Sequence, residues 1–177
     1  MGGPASNKRR TDAPLSVEIV LRGGDWRAAG IDQDLLERAA RHAFSLASGG
    51  ESTGAEVAVA LCDDAEVRQL NATWRDTDKP TNVLSFPAAD DIPANNDMRT
   101  LGDVVLAFET VAGEAQTAGL ELNHHAAHLV VHGVLHLVGY DHETDEDARQ
   151  MEELERRILS GLNIADPYAV AAVAESA

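Results

Sequence analysis

Asn123-His124-His125-Ala126-Ala127-His128-Leu129-Val130-Val131-His132-Gly133-Val134-Leu135-His136-Leu137-Val138-Gly139-Tyr140-Asp141-His142 carries six of the chain's seven histidines. Its long apolar run predicts a helix, capped by Asn123 and continuing through Val138. Residues four apart lie one turn above each other, so the pairs 124/128, 128/132 and 132/136 each share a face. Gly139 chooses among them. A glycine just past an apolar helix takes the left-handed C′ conformation and turns the chain back, which lets His142 swing toward His132 and His136. The expectation is a divalent metal site made by these three histidines at the end of a central helix.

The frame is H-x3-H-x2-G-x2-H, shared with metzincin zinc sites, where a glutamate base follows the first histidine. Here that position is Gly133. Three neutral imidazoles leave a fourth coordination position open, which suits a catalytic rather than a closed structural site, with zinc the expected ion. His124, His125 and His128 are read as packing or surface residues, with support of the ligands as the alternative. Asp141 either orients a ligand imidazole or stabilises the turn.

Downstream, Thr144-Asp145-Glu146-Asp147 has the form of a capping box and opens a last helix through about Leu162. The carboxylates between Glu143 and Glu155 are read as its solvated face.

Upstream, alternation over residues 15–21 predicts a strand, and apolar spacing over 32–48 a helix. AEVAVALC at 55–62 predicts a second strand, after which Asp63 caps a helix bearing Val67, Leu70 and Trp74 on one face. A turn at 79–82 leads to a short strand at 83–86, a polar loop at 88–100, a strand at 102–108 and a helix at 110–118 closed by Gly119. Strands interleaved with helices imply an α/β or α+β domain.

A chain of 177 residues that is 44% hydrophobic builds one ordinary core without disulfides, leaving any metal free for chemistry. Cys62 is the sole cysteine, which excludes an intramolecular disulfide, a zinc ribbon or a redox pair and points to a reducing cytoplasm. No apolar stretch suits a membrane span or a signal peptide. The net charge of −16 opposes tight non-specific nucleic-acid binding, which draws on Lys and Arg. Residues 1–14 read as a disordered leader, 15–163 as the folded domain and 164–177 as a flexible tail.

The segment from His132 to His142 resembles the signature of the YbeY-type rRNA maturation endoribonucleases. Two further blocks agree in order and separation: Leu70-Asn71-Ala72-Thr73-Trp74-Arg75 running into Lys79-Pro80-Thr81-Asn82-Val83-Leu84-Ser85-Phe86-Pro87, and Leu101-Gly102-Asp103-Val104-Val105. Position 82 departs from the pattern, with Asn where Asp is common. The resemblance implies a single α+β domain with about four strands in a mixed sheet and helices packed around it. It implies metal-dependent cleavage of single-stranded RNA in ribosomal RNA maturation, including the 16S rRNA 3′ end, and in ribosome quality control.

Single-stranded rRNA and small-subunit components are the implied partners, with no membrane. Arg75 matches the family's arginine and is the expected catalytic residue, its guanidinium clamping a phosphodiester. Without that match it reads equally well as a surface cation at a helix end. Ser85 and Asp103 are candidate cleft residues, and a basic cleft around Arg75 is expected on an acidic body. Two other functions compete: a zinc metallopeptidase-like hydrolase, which the frame favours and Gly133 opposes, and a ribosome-assembly binding factor with a structural metal.

Overall fold

A computed structural model describes residues 15–49, 54–89 and 98–169; the expected leader and the last part of the expected tail lie outside them. The elements run β1 (Leu15–Leu21), α1 (Gln33–Ala47), β2 (Ala55–Cys62), α2 (Asp64–Arg75), β3 (Val83–Pro87), β4 (Arg99–Ala107), α3 (Phe108–Ala118), α4 (Leu122–Leu137) and α5 (Asp145–Gly161). The strands form one mixed sheet in the order β1-β2-β4-β3. β1, β2 and β4 are parallel, and β3 is antiparallel to β4 at the edge. The chain is therefore an α+β domain with a four-stranded mixed sheet.

Local chemistry explains the boundaries. Asp32 and Asp63 each accept a hydrogen bond from a backbone N–H three residues on, at 3.0 and 2.8 Å, and so start α1 and α2. Thr144 does the same for Asp147, whose carboxylate in turn accepts the Thr144 hydroxyl at 2.6 Å. Two expectations need correction. β4 starts at Arg99 rather than Gly102, because the parallel pairing of Ala55 with Arg99 and Glu56 with Thr100 extends it; Gly102 sits where the register shifts. The central helix α4 starts at Leu122, one residue before the expected cap. Asn123 instead ties its side chain to Asp32 N (2.9 Å) and Gly30 O (3.3 Å), fastening α4 to the start of α1.

The two sheet faces are covered unequally. Val57, Val59, Val104 and Leu106 point into the main core with α1, α4 and α5, while Cys62, Leu84, Val105 and Ala107 meet Val67 of α2 on the other face. α4 is buried on most of its circumference, from Ala126 through Leu135, as a helix apolar nearly all round must be. The closeness of α4 to the sheet depends on Gly133. A Cβ there would stand 2.6 Å from Val104 Cγ1 and 3.1 Å from Ser85 Oγ.

Packing continues past position 163. Ile164 is buried in the main core, and the hydroxyl of Tyr168 donates to Glu155, so these two residues, expected in the tail, pack against the domain. Among the described residues no helix is long and apolar enough to cross a membrane.

Candidate metal centre

The last two turns of α4 place His132 and His136 one above the other, with Nε2 atoms 3.0 Å apart. The helix then closes in a Schellman turn. Tyr140 N–H donates to Leu135 O and Gly139 N–H to His136 O, both at 3.0 Å, with Gly139 at φ 101°. A residue with a Cβ adopts that φ only under strain. The turn carries His142 back, its ring 5.6 Å from that of His132 and 5.0 Å from that of His136. One ligand atom of each histidine lies within 4.8 Å of the others.

The other ring nitrogens show what this cluster is built to hold. His136 Nδ1 donates to Tyr140 O at 3.0 Å, so the turn that ends the helix also orients the second histidine. His132 Nδ1 donates to Glu155 at 2.7 Å. Burial, then the neighbouring His132 and His142, pull the His136 pKa down, which keeps that imidazole neutral. With both Nδ1 hydrogens used elsewhere, two Nε2 lone pairs face each other. A shared cation is what makes such an arrangement favourable, and three imidazole nitrogens suit zinc and similar transition metals better than magnesium or calcium. The donor set fits a divalent transition-metal ion.

Glu155 is the principal residue that sequence reasoning misplaced. It is not on the solvated face of the last helix but only 1% exposed, and it accepts from His128 Nε2 (2.9 Å), His132 Nδ1 and the Tyr168 hydroxyl. Burial opposes its charge, yet these three donors outweigh burial and hold its pKa at about 2. A signal was present in the sequence: Glu155 falls on the apolar stripe of α5 with Met151, Leu154 and Ile158, where a carboxylate requires a partner. His128 accordingly supports the site, the weaker of its two readings. His125 bonds Glu114 at 2.8 Å instead.

A cleft of about 560 Å³ opens in front of the histidines, with Arg75, Asn82, Ser85 and Asp141 in its walls. Arg75, the last residue of α2, donates from Nη2 to Ser85 O at 3.3 Å across the free edge of β3. The Ser85 hydroxyl donates to Gly133 O at 3.2 Å, strapping β3 to α4. Asp141 accepts the His142 backbone N–H at 2.7 Å and so stabilises the turn; the rings of His132 and His136 are oriented by Glu155 and Tyr140 O. Asp103 is not brought to this cleft. It lines a separate depression on the opposite sheet face with Glu18, Glu56 and Thr100. Among the described residues, Arg75 and Asp141 are the only charged ones in the cleft wall besides the histidines, so that wall is balanced rather than basic.

The sequence model of the endoribonuclease YbeY family matches residues 25–163. This chain belongs to the endoribonuclease YbeY family. It is 48% identical over 163 residues to the endoribonuclease YbeY of a Rhodopseudomonas palustris strain, covering 88% of this chain and 91% of that protein. The endoribonuclease YbeY of Azorhizobium caulinodans is 47% identical over 158 residues, covering 89% and 99%. The solution structure of TM1509 from Thermotoga maritima superposes with a TM-score of 0.52 at 23% identity, over 85% of this chain and 97% of that one, a likeness of fold.

Proposed function

We propose that this protein is a metal-dependent endoribonuclease that cuts single-stranded RNA in ribosomal RNA maturation, acting in 16S rRNA 3′ end processing and ribosome quality control. The observation that carries this is the joint placement of three imidazoles and Arg75 around one cleft, in a member of the YbeY family. His132, His136 and His142 hold the ion, which we assign as zinc. When bound, zinc supplies Lewis acidity and a nucleophilic water near neutral pH.

Arg75 is the catalytic residue among the protein's own side chains. One guanidinium N–H rests on Ser85 O, which aims the planar fork into the cleft, where it pairs with phosphodiester oxygens and stabilises charge that grows during cleavage. Ser85 keeps β3 and α4 together rather than meeting substrate. The balanced cleft on a chain of net charge −16 gives weak affinity for free RNA. Small-subunit components in the cytoplasm supply the localisation.

A peptidase reading is not favoured. The direction a side chain would take from position 133 leads into Val104 and Ser85, so a zincin-type glutamate has no room there. A purely structural metal is disfavoured by a cleft that opens directly onto the histidines and shares its wall with Arg75.

The test compares RNA cleavage by wild type, His136→Ala and Arg75→Ala, with metal content and folding measured on each. Cleavage of single-stranded RNA is expected in wild type alone, with metal lost in His136→Ala and retained in Arg75→Ala. Equal activity in all three would mean that a contaminating nuclease does the cutting and would overturn the assignment.

A further inference from the structure

Behind His132 the packing runs beyond α5 into the chain's last described residues, and there we propose a clasp. Residues 164–168 position the metal ligand His132, with Tyr168 a positioning residue that acts on it through Glu155. This rests on the reading of the three histidines as metal ligands.

The clasp is anchored at both ends. Ile164 is buried in the main core. Asp166 accepts the Tyr168 backbone N–H at 2.9 Å and pairs with Arg156 Nε at 3.4 Å. The Arg156 guanidinium in turn lies over the Tyr168 ring, 4.8 Å from its centroid. On the other side the His128 ring meets the same ring edge-on at 5.7 Å. The aromatic ring is thus held by an arginine and a histidine, and its hydroxyl has one direction to point.

That direction is Glu155. The Tyr168 hydroxyl and His128 Nε2 donate to Oε2, and His132 Nδ1 donates to Oε1. A carboxylate on a long side chain rotates about its last bond unless both oxygens are fixed. Here Oε2 is fixed from two sides, which leaves Oε1 aimed at His132 and His132 Nε2 aimed at the metal position. Tyr168 also walls a cavity of about 260 Å³ behind His132 and His142. Without its hydroxyl, a buried carboxylate oxygen loses a partner and gains freedom to turn, and the imidazole it orients loosens with it.

The test is zinc affinity of the full-length protein, measured by competition with a chromophoric chelator, together with the absorption spectrum of the cobalt(II)-loaded form and unfolding of the metal-free form. Tyr168→Phe removes one oxygen and keeps the ring. It is expected to weaken zinc binding by about tenfold or more, within the 10–100-fold range typical of partners behind a metal ligand, and to alter the cobalt spectrum. Zinc affinity and cobalt spectrum equal to wild type, even with lowered melting temperature, would reduce Tyr168 to a packing residue and overturn the clasp.

Should Tyr168→Phe not fold, Asp166→Asn loosens the clasp without touching the carboxylate network. A several-fold loss of zinc affinity is then expected, and none overturns the proposal. Wild type and His136→Ala serve as the reference pair. If these two bind zinc equally, the metal site itself is wrong and the clasp falls with it; if only the Tyr168 and Asp166 variants match wild type, the clasp alone falls.

Discussion

His132 Nδ1 donates a 2.7 Å hydrogen bond to Glu155 Oε1, joining the central helix to α5 across 23 residues of chain. The pair fixes which nitrogen of His132 faces the cleft and brings a negative charge to within one imidazole of the metal position. Both effects favour a bound cation, because an imidazole with its far N–H on a carboxylate is a better-oriented and more basic ligand. The same carboxylate makes α5 more than a cover for the core.

Gly133 sets the distance between α4 and the sheet. Gly133→Ala places a Cβ 2.6 Å from Val104 Cγ1, and a β-branched side chain has little rotameric freedom to retreat. The substitution is expected to cost about 1–3 kcal/mol as overpacking. Val104→Ala in the same molecule should recover much of that loss. Urea unfolding of the single and double variants measures it; additive losses would place the strain elsewhere.

Arg75→Lys keeps the charge and loses the planar fork. We expect both Arg75→Lys and Arg75→Ala to retain wild-type metal content and melting temperature. RNA cleavage should fall by about 10²–10³-fold in the alanine variant, the range for removing one donor aimed at developing charge. A full rescue by lysine would show that charge alone matters at this position.

Asn82 donates to both carboxylate oxygens of Glu114, at 3.2 and 3.1 Å, and Glu114 also receives His125 Nε2. Asn82→Asp sets two carboxylates side by side. The repulsion raises the pKa of the pair in the folded state, so destabilisation of about 1–3 kcal/mol should be present near pH 8 and diminish as the pH falls and one carboxyl takes a proton. Melting temperatures at several pH values follow this directly; a pH-independent difference would exclude charge repulsion as its cause.

Cys62 is fully buried, and burial, followed by the adjacent Glu66, pushes its thiol up to about 12. Native protein at pH 8 should therefore resist thiol reagents and react at once on unfolding. Because the folded-state pKa lies above the ordinary 9.0, the neutral thiol favours folding below pH 9, and that contribution declines as the pH rises from 9 toward 12. Rapid labelling of the native protein at pH 8 would contradict this burial.

The order of helices and strands was legible in the sequence because periodicity, caps and turns are local. Asp63 and Thr144 cap their helices as their positions predict. The three histidines were legible for the same reason: two lie on one helix face four residues apart, and Gly139 makes a turn whose geometry is set within a few residues.

What the tertiary structure alone decided depends on contacts between distant segments. Asp103 and Ser85 both lie in strands near the site in sequence pattern, but alternation along neighbouring strands sends Asp103 to the opposite face. Asn123 is drawn from capping its own helix to fastening α1. Glu155 looked like one carboxylate among many in an acidic helix. Its partners come from two distant segments, His128 and His132 from α4 and Tyr168 from the stretch after α5, and only their convergence on a site with 1% exposure makes a charge stable there. A cluster of three histidines can be read from spacing along one helix and the turn that follows it, whereas the residues that aim their rings are chosen by which distant surfaces the fold presses together.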